Sequence, residues 1–519
     1  MSREHEEFEL KFALTEAELQ HIRKKPVVTR RTIGRAATHR LRSIYFDTPD
    51  HMLRKSGIAL RVRRVDGHWV QTVKSGTALV SGLSNPLEVE AAVEGPEPDL
   101  DAIDHAPLRK AVRKAARSGG LAPVFETDMR RTARRLRTPC GGEVELALDR
   151  GKIRAGDRTA PICEAEIELK VGTPDAVFDM GELMFVEAPL RFSQASKAEQ
   201  GYRVARGKRA KPLLPLAIGS PAIGMDDTTE QAFRTLVSRC AHVIAHNLRV
   251  VIESDAPEGP HKLRIALRNL RAVLRAFGHV VDAAPLRRLE ADAGTLSRVV
   301  GELRDADVLL EDIVAPLSQG RGEDAGYAAL RDMLLAHREH VRARVRSELT
   351  SSWISAFQFR LLACAQGNEW ISGLDEEAVA ALKAPARLTA RLALRKTWKR
   401  ARKRGRHPAR LTVPERHRLR KALKTLRYTA EMFSPLYRKR KVRRFIRELK
   451  RLQDAFGYLN DIALAGTLPG IGVEEHVKRP EVHQAIGFAL GWHTARAEGT
   501  WTEACTRWDA LKHTPRFWA

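Results

Sequence analysis

Charged and apolar side chains alternate at period two along the first 170 residues, and this pattern limits most strongly how they can fold. In an extended strand successive side chains point to opposite faces. In EFELK, Glu7, Glu9 and Lys11 therefore share one face while Phe8 and Leu10 take the other. The same parity groups Arg61 with Arg63 in ALRVRRV, Glu88 with Glu90 in LEVEA, Glu145 with Asp149 in VELALD, and Glu164, Glu166 and Glu168 in CEAEIEL, each opposite apolar residues such as Val62, Val89, Leu146 and Ile167. Like charges two apart gain nothing from each other on a solvated sheet, so sorting into acidic and basic strands needs another cause. A pocket for divalent cations and a polyphosphate supplies one: hard Mg²⁺ or Mn²⁺ takes carboxylate oxygens, and phosphate oxygens take Arg and Lys.

Extended segments are expected at 5–14, 40–47, 57–66, 68–75, 86–94, 124–137, 143–151 and 161–170, with helical patches at 15–24, 99–118 and 173–188. Eight antiparallel strands suffice to close a barrel and remove the sheet edges. A chain of 519 residues exceeds one ordinary core, so two domains are expected. The stretch GKRAKPLLPLAIGSPAIGM (207–225) holds Pro and Gly but no acid and reads as a connection. The expected division is 1–209, a linker at 210–225, and 226–519.

The net charge of +26 calls for a polyanionic partner. It is uneven: residues 1–225 hold 38 Lys+Arg against 30 Asp+Glu, and 226–519 hold 52 against 34. Five scattered cysteines without a CxxC suggest neither a disulfide framework nor a thiolate metal site. The first ten residues lack the apolar run of a signal peptide, and no stretch of about 18 apolar residues occurs. No membrane partner and a cytoplasmic location are expected.

From 226 onward apolar residues recur at three and four, as in Leu263, Leu267, Leu270 and Leu274, which reads as helix. Helical segments are expected at 228–253, 260–280, 284–317, 323–349, 376–403, 414–434, 438–466 and 480–497. HKLRIALRNLR places His261, Arg264, Arg268 and Arg271 at offsets 0, 3, 7 and 10; HRLRKALKTLR repeats this with His417, Arg420, Lys424 and Arg427. At 100° per residue each set spans an arc of about 80°. The separation, 417 − 261 = 156, also relates Leu296 to Leu452, Gly301 to Gly457 and Asp305 to Asp461. Two copies of one helical unit follow, related by a pseudo-twofold axis. The stripes lack the interspersed Glu that neutralises a solvated helix face, and clustered cations repel until an anion joins them. Residues 401–450 carry 19 Lys+Arg against 3 Asp+Glu.

Residues 1–209 resemble the CYTH domain of the triphosphate tunnel metalloenzymes on the ExExK, the LRVR, TVK with Lys74, EVE, ELALD, the strand from Glu164 to Glu168, and SK at Ser196 and Lys197. The resemblance implies an α+β domain whose eight-stranded antiparallel tunnel hydrolyses a phosphoanhydride with two metal ions. It implies Glu7, Glu9, Glu166 and Glu168 as metal ligands (Mg²⁺ or Mn²⁺). It further implies Glu90, Glu145 and Asp149 as a second group, holding a metal or orienting water, and Lys11, Arg61, Arg63, Lys74, Arg131 and Lys197 as the clamp for the phosphates. Ala147 stands where related tunnels often carry another acid, and the run RRTARRLR does not itself say which arginines face inward. Residues 226–510 resemble the CHAD family, the conserved-histidine α-helical domain, on the two stripes, RDAD at Arg304–Asp307, LRY and LND. That implies an all-α domain binding inorganic polyphosphate along His261, Arg264, Arg268, Arg271, His417, Arg420, Lys424 and Arg427.

The expected function is metal-dependent hydrolysis of inorganic triphosphate, with polyphosphate held by the helical half and association with polyphosphate granules. The alternatives are a hydrolase or cyclase acting on an organic triphosphate, and a non-catalytic granule-binding protein. Nucleic acid fits poorly, because aromatics at 6% leave few stacking platforms.

Overall fold

The computed structural model describes residues 3–6, 8–76, 82–185, 191–193, 195–207, 212–318, 324–472 and 479–519; for 3–6, 460, 461 and 498 it describes the backbone alone. The chain forms two compact units: residues 1–212 with 351–368, and 213–350 with 369–519. The main segment of the first unit ends at residue 212, and 351–368, which lie in sequence among the helices of the second, group with it.

Among the described residues ten strands form one antiparallel sheet: β1 (Arg3–Glu6), β2 (Glu9–Ala13), β3 (Thr32–Asp47), β4 (Ile58–Val65), β5 (His68–Ser75), β6 (Leu83–Ser84), β7 (Leu87–Val93), β8 (Ala122–Arg137), β9 (Glu143–Ala155) and β10 (Arg158–Val171). Their order is β1-β7-β5-β4-β3-β8-β9-β10-β2-β6. β1 and β2 lie toward opposite edges although only two residues separate them. A chain that short spans about 11 Å from Glu6 to Glu9, so the sheet curls until its edges approach. The count exceeds the expected eight because the N-terminal strand is split in two and Leu83–Ser84 adds a short piece.

The curl is lined with charge because the apolar parity is covered from outside. Leu60, Val62, Val73 and Val89 pack with Leu108 and Val112 of α4 (Ala106–Gly119). Met129, Ile153 and Ile162, by contrast, lie on the charged parity of their strands and pack with Tyr202 of α6 (Lys197–Ala205), so apolar side chains fill that end of the curl. With the apolar face of β4, β5 and β7 under α4, their charged face is left to the lumen. The unit is completed by α1 (Glu16–Lys24), α2 (Pro26–Arg31), α3 (Met52–Lys55), α5 (Asp175–Phe185) and α12 (Ser352–Gln366).

The helical unit shows the repeat directly. Its helices include α7 (Thr229–Glu253), α8 (Glu258–Phe277), α9 (Ala284–Val308), α10 (Ala315–Ser318), α11 (Ala325–Leu349), α13 (Glu369–Ser372), α14 (Glu376–Lys383), α15 (Ala386–Arg404), α16 (Val413–Met432), α17 (Lys439–Ala465) and α18 (Pro480–His513). Counterparts α8 and α16 are each 20 residues long and pack together. Phe277 and Phe433, 156 positions apart, meet with ring centroids 5.7 Å apart. Contact between equivalent residues is what a twofold axis passing between two copies produces. Among the described residues no helix is long and apolar enough to cross a membrane.

Candidate functional site

Cross-strand partners on one face of an antiparallel pair stand side by side, so register builds the lumen. Glu9 pairs with Glu168 and Lys11 with Glu166 between β2 and β10. Glu164 pairs with Asp149, and Asp149 with Arg131, across β10, β9 and β8. Arg61 pairs with Tyr45, and Thr72 and Lys74 pair with Glu90 and Glu88. Lys197 joins from the first turn of α6, which Ser196 caps by accepting the Glu199 N–H.

One cavity of about 610 Å³ results, lined by Glu9, Lys11, Arg61, Arg63, Lys74, Glu90, Arg131, Glu166, Glu168 and Lys197 together with Glu88, Tyr45, Ser84 and Lys170. Its charges interlock. Lys11 Nζ lies 2.9 Å from both Glu9 and Glu166. Lys197 Nζ lies 2.8, 2.9 and 2.7 Å from Asp149, Glu164 and Glu166. Arg131 donates to both Asp149 oxygens at 2.8 and 2.6 Å and to Glu166 at 2.5 Å. Lys74 sits 2.6 Å from Glu88, which Arg61 also reaches at 3.2 Å.

Burial alone would raise the Glu166 carboxyl, but Lys11, Lys197 and Arg131 outweigh it and hold it well below the usual carboxylate range. For Lys197, burial pulls downward while Asp149, Glu164 and Glu166 carry the ammonium well above its ordinary value. Arg63 differs. Its Nε donates to Ser43 Oγ at 2.9 Å, and among the described residues no carboxylate pairs with it. Burial, followed by the charges of Arg61 and Arg131, pushes its guanidinium down to about 9. A buried cation surrounded by cations is a place for an anion.

Two expected members stand elsewhere. Asp149 is 0% exposed and both its oxygens are held by Arg131, so it orients cations and has no free face for water. Glu145 shares a register row with Glu168 and Arg135 but does not line the cavity. Glu7 lies outside the described residues. Among the arginines of β8, Arg131 faces the lumen, Arg135 pairs with Glu143 at 2.6 Å, and Arg130 is exposed. Tyr45 carried no sequence signal, since its place on the lumen face follows only from its pairing with Arg61.

The donor set bears on whether a divalent metal fits here. Among the described residues no group of three His, Cys, Asp or Glu clusters as a cage. Mg²⁺ does not need one, because it is commonly held by one or two carboxylates with substrate phosphates and water. Glu9 and Glu168, neighbours in register on the cavity wall, supply oxygens of that kind. The residues fit.

In the helical unit, the two stripes converge on a cleft of about 850 Å³ whose lining holds eleven Lys and Arg against Asp305 and Asp312. His261, Arg264, Arg268, Arg271, His417, Arg420 and Lys424 all line it. Arg427 does not; it turns toward Glu431 at 3.8 Å and lies over the Tyr428 ring. Arg264 is fixed by Asp305 at 2.7 Å and the Gly301 carbonyl at 3.1 Å. Burial, then Arg268 and Arg420, pushes the Lys424 ammonium down to about 6. Burial and neighbouring cations also lower both histidines, favouring neutral imidazoles. Arg304, Arg400 and Arg404 add cations from α9 and α15 that neither stripe contains.

A curled antiparallel sheet with cations and carboxylates inside, joined to a duplicated helical unit with a basic cleft, defines a two-domain protein with a charged lumen in one domain and a cationic groove in the other. Residues 5–202 are a CYTH domain and residues 235–468 a CHAD domain; the chain is a CYTH–CHAD protein. It is 36% identical over 163 residues to the inorganic triphosphatase of Haemophilus influenzae, a match covering 31% of this chain and 45% of that protein's length. Among solved structures, it is similar to a CHAD domain from Ricinus communis (26% identity, TM-score 0.48, 59% of this chain and 98% of that one). It is also similar to a Hippeastrum protein with a dominant triphosphatase activity (22% identity, TM-score 0.29, 40% and 98%).

Proposed function

We propose that the tunnel hydrolyses inorganic triphosphate to phosphate and diphosphate in the presence of Mg²⁺ or Mn²⁺. The observation that carries this reading is a single cavity lined by seven cations and by carboxylates from β2, β7 and β10. The match to an inorganic triphosphatase supports it. Tyr45 is the one aromatic ring among the described lining residues, and it is already stacked on Phe125 at 4.5 Å. That leaves little for a nucleobase or thiamine ring to stack on and favours an inorganic substrate.

In this reading Arg63, lacking a counter-ion, takes a phosphate first. Arg61 and Lys74 flank it. Lys11, Arg131 and Lys197 exchange part of their contact with Glu166 for phosphate oxygens, so the clamp is already positioned before substrate enters. Glu9 and Glu168 would hold the metal, joined in the sequence-based expectation by Glu7, and a bound metal would supply neutralisation of phosphate charge and acidification of water. Glu90, fixed by a hydrogen bond from Thr72 Oγ1 at 2.8 Å, orients the attacking water and accepts its proton. Water oxygen bonds to the terminal phosphorus, the bridging P–O bond breaks, and diphosphate leaves.

The helical cleft, in the same reading, binds inorganic polyphosphate, placing the enzyme in the cytoplasm beside such polymers. Its excess of cations supports this. Phosphate release from inorganic triphosphate, with Mg²⁺, Mn²⁺ or chelator added, tests the catalytic reading. Release that ignores chelator would overturn its metal dependence, and no release would overturn the activity.

A further inference from the structure

Helix α12 lies in sequence between helices of the helical unit, yet it packs within the tunnel unit. Its Phe359 is 1% exposed, with ring centroids 6.0 Å from both Phe12 and Phe192 and 6.4 Å from Phe185. On α5, Gly181 makes room for it, since a Cβ there would collide with the Phe359 ring. Polar contacts also pin the segment: Arg360 Nη1 reaches Glu182 Oε1 at 3.3 Å, and the Asn368 N–H donates to the Asp175 carboxylate at 2.9 Å.

Phe12 belongs to β2, the strand that carries Glu9 and Lys11 on its other face. β2 is five residues long. One side is laddered to β10; among the described residues the other meets the two-residue strand β6, an isolated bridge from Phe12 to Phe192, and single backbone bonds from Lys11 to Gly82, from Ser193 to Lys11 and from Ala13 to Arg191. A short strand with one full ladder depends on side-chain packing to stay in place. That packing is the Phe12, Phe185, Phe192 and Phe359 cluster, and only Phe359 comes from beyond residue 212.

We propose that Phe359 is a positioning residue for Glu9 and Lys11, so that a segment encoded inside the helical half completes the tunnel. The functional part of this proposal rests on the triphosphatase reading; the packing part does not.

The test uses full-length protein with Phe359→Ala and the milder Phe359→Leu. Phosphate release from inorganic triphosphate is followed across a Mg²⁺ titration, together with backbone hydrogen exchange. For Phe359→Ala, kcat falls about tenfold, the scale of a sub-ångström displacement, and the half-activating Mg²⁺ concentration rises several-fold. Amides of residues 9–13 exchange faster while 58–75 stay protected, and Phe359→Leu recovers most of each change. A lowered Tm with kcat, Mg²⁺ dependence and exchange at 9–13 all unchanged would overturn the proposal. If the Ala variant does not fold, the same readouts on Phe359→Leu decide, smaller shifts supporting the proposal and none overturning it. If wild-type protein releases no phosphate, the triphosphatase reading fails and exchange at 9–13 still decides the packing claim.

Discussion

Arg131 grips both oxygens of Asp149 in a buried pair, with hydrogen bonds of 2.8 and 2.6 Å. Asp149 also lies 2.8 Å from Lys197, so one enclosed carboxylate fixes two cations of the cavity. Removing one partner of a buried pair leaves the other charge uncompensated and costs about 3–5 kcal/mol. Asp149→Ala is expected to destabilise the tunnel unit on that scale, measured by urea unfolding; Glu145→Ala, with no such partner in the lining, is expected to cost much less.

The same cluster sets an acid limit. The folded-state values of Asp149 and Glu166 are depressed, burial being outweighed by Lys197, Arg131 and Lys11. Their contribution is therefore fully present above the unfolded carboxyl values of about 4 and is lost as pH falls through the folded ones. Stability followed by denaturation at fixed pH is expected to decline from about pH 4 downward, and Glu166→Gln should flatten that decline.

Glu9→Gln keeps the shape of the strand but removes a metal-type oxygen. Metal-dependent phosphate release is expected to fall on the order of 10²-fold, the scale of losing one preorganised charge contact. Polyphosphate retention should stay at the wild-type level; undiminished release would remove Glu9 from the metal site.

Arg264→Glu with Arg420→Glu is expected to weaken polyphosphate binding far more than triphosphate hydrolysis. Each lost phosphate contact also reduces the salt slope of binding. Equal losses in a filter-binding and a phosphate-release assay would show the two activities to be inseparable. His261→Ala with His417→Ala should leave hydrolysis intact.

Lys424 faces Arg264 and Arg268 of α8 and Arg420 and Arg427 of its own helix, and its value of about 6 leaves it largely neutral at pH 8. A polyanion favours the charged amine, so binding takes up a proton. Polyphosphate affinity is therefore expected to fall as pH rises from about 6 to 9, by less than tenfold per unit. Calorimetry in buffers of different ionisation enthalpy reads the uptake directly, and Lys424→Met should abolish it.

Much of the lumen is legible in the sequence because period-two parity is a local property: it puts Arg61 with Arg63, Glu9 with Lys11 and Glu164 with Glu166 on one face of their strands. Parity does not say which neighbour a side chain meets. Glu145 and Asp149 share their parity, but Arg131 and Lys197 enclose one of them and the other stays off the cavity wall. Tyr45 needed the register between β3 and β4. Helix α12 was missed altogether, although SWISAFQFRLLACAQ is apolar nearly all round, the mark of a helix buried on every side. Its destination depends on Gly181 and the phenylalanines of β2 and α5, which no local pattern reveals.

The pseudo-twofold relation between α8 and α16 carries a consequence of its own. A groove built from two such copies offers nearly the same order of cations whether traced from one mouth or from the other. A strand with distinct head and tail, such as RNA, would find only one of its polarities matched. A uniform phosphate thread has no direction to get wrong, and it can advance by one monomer and meet an equivalent set of partners.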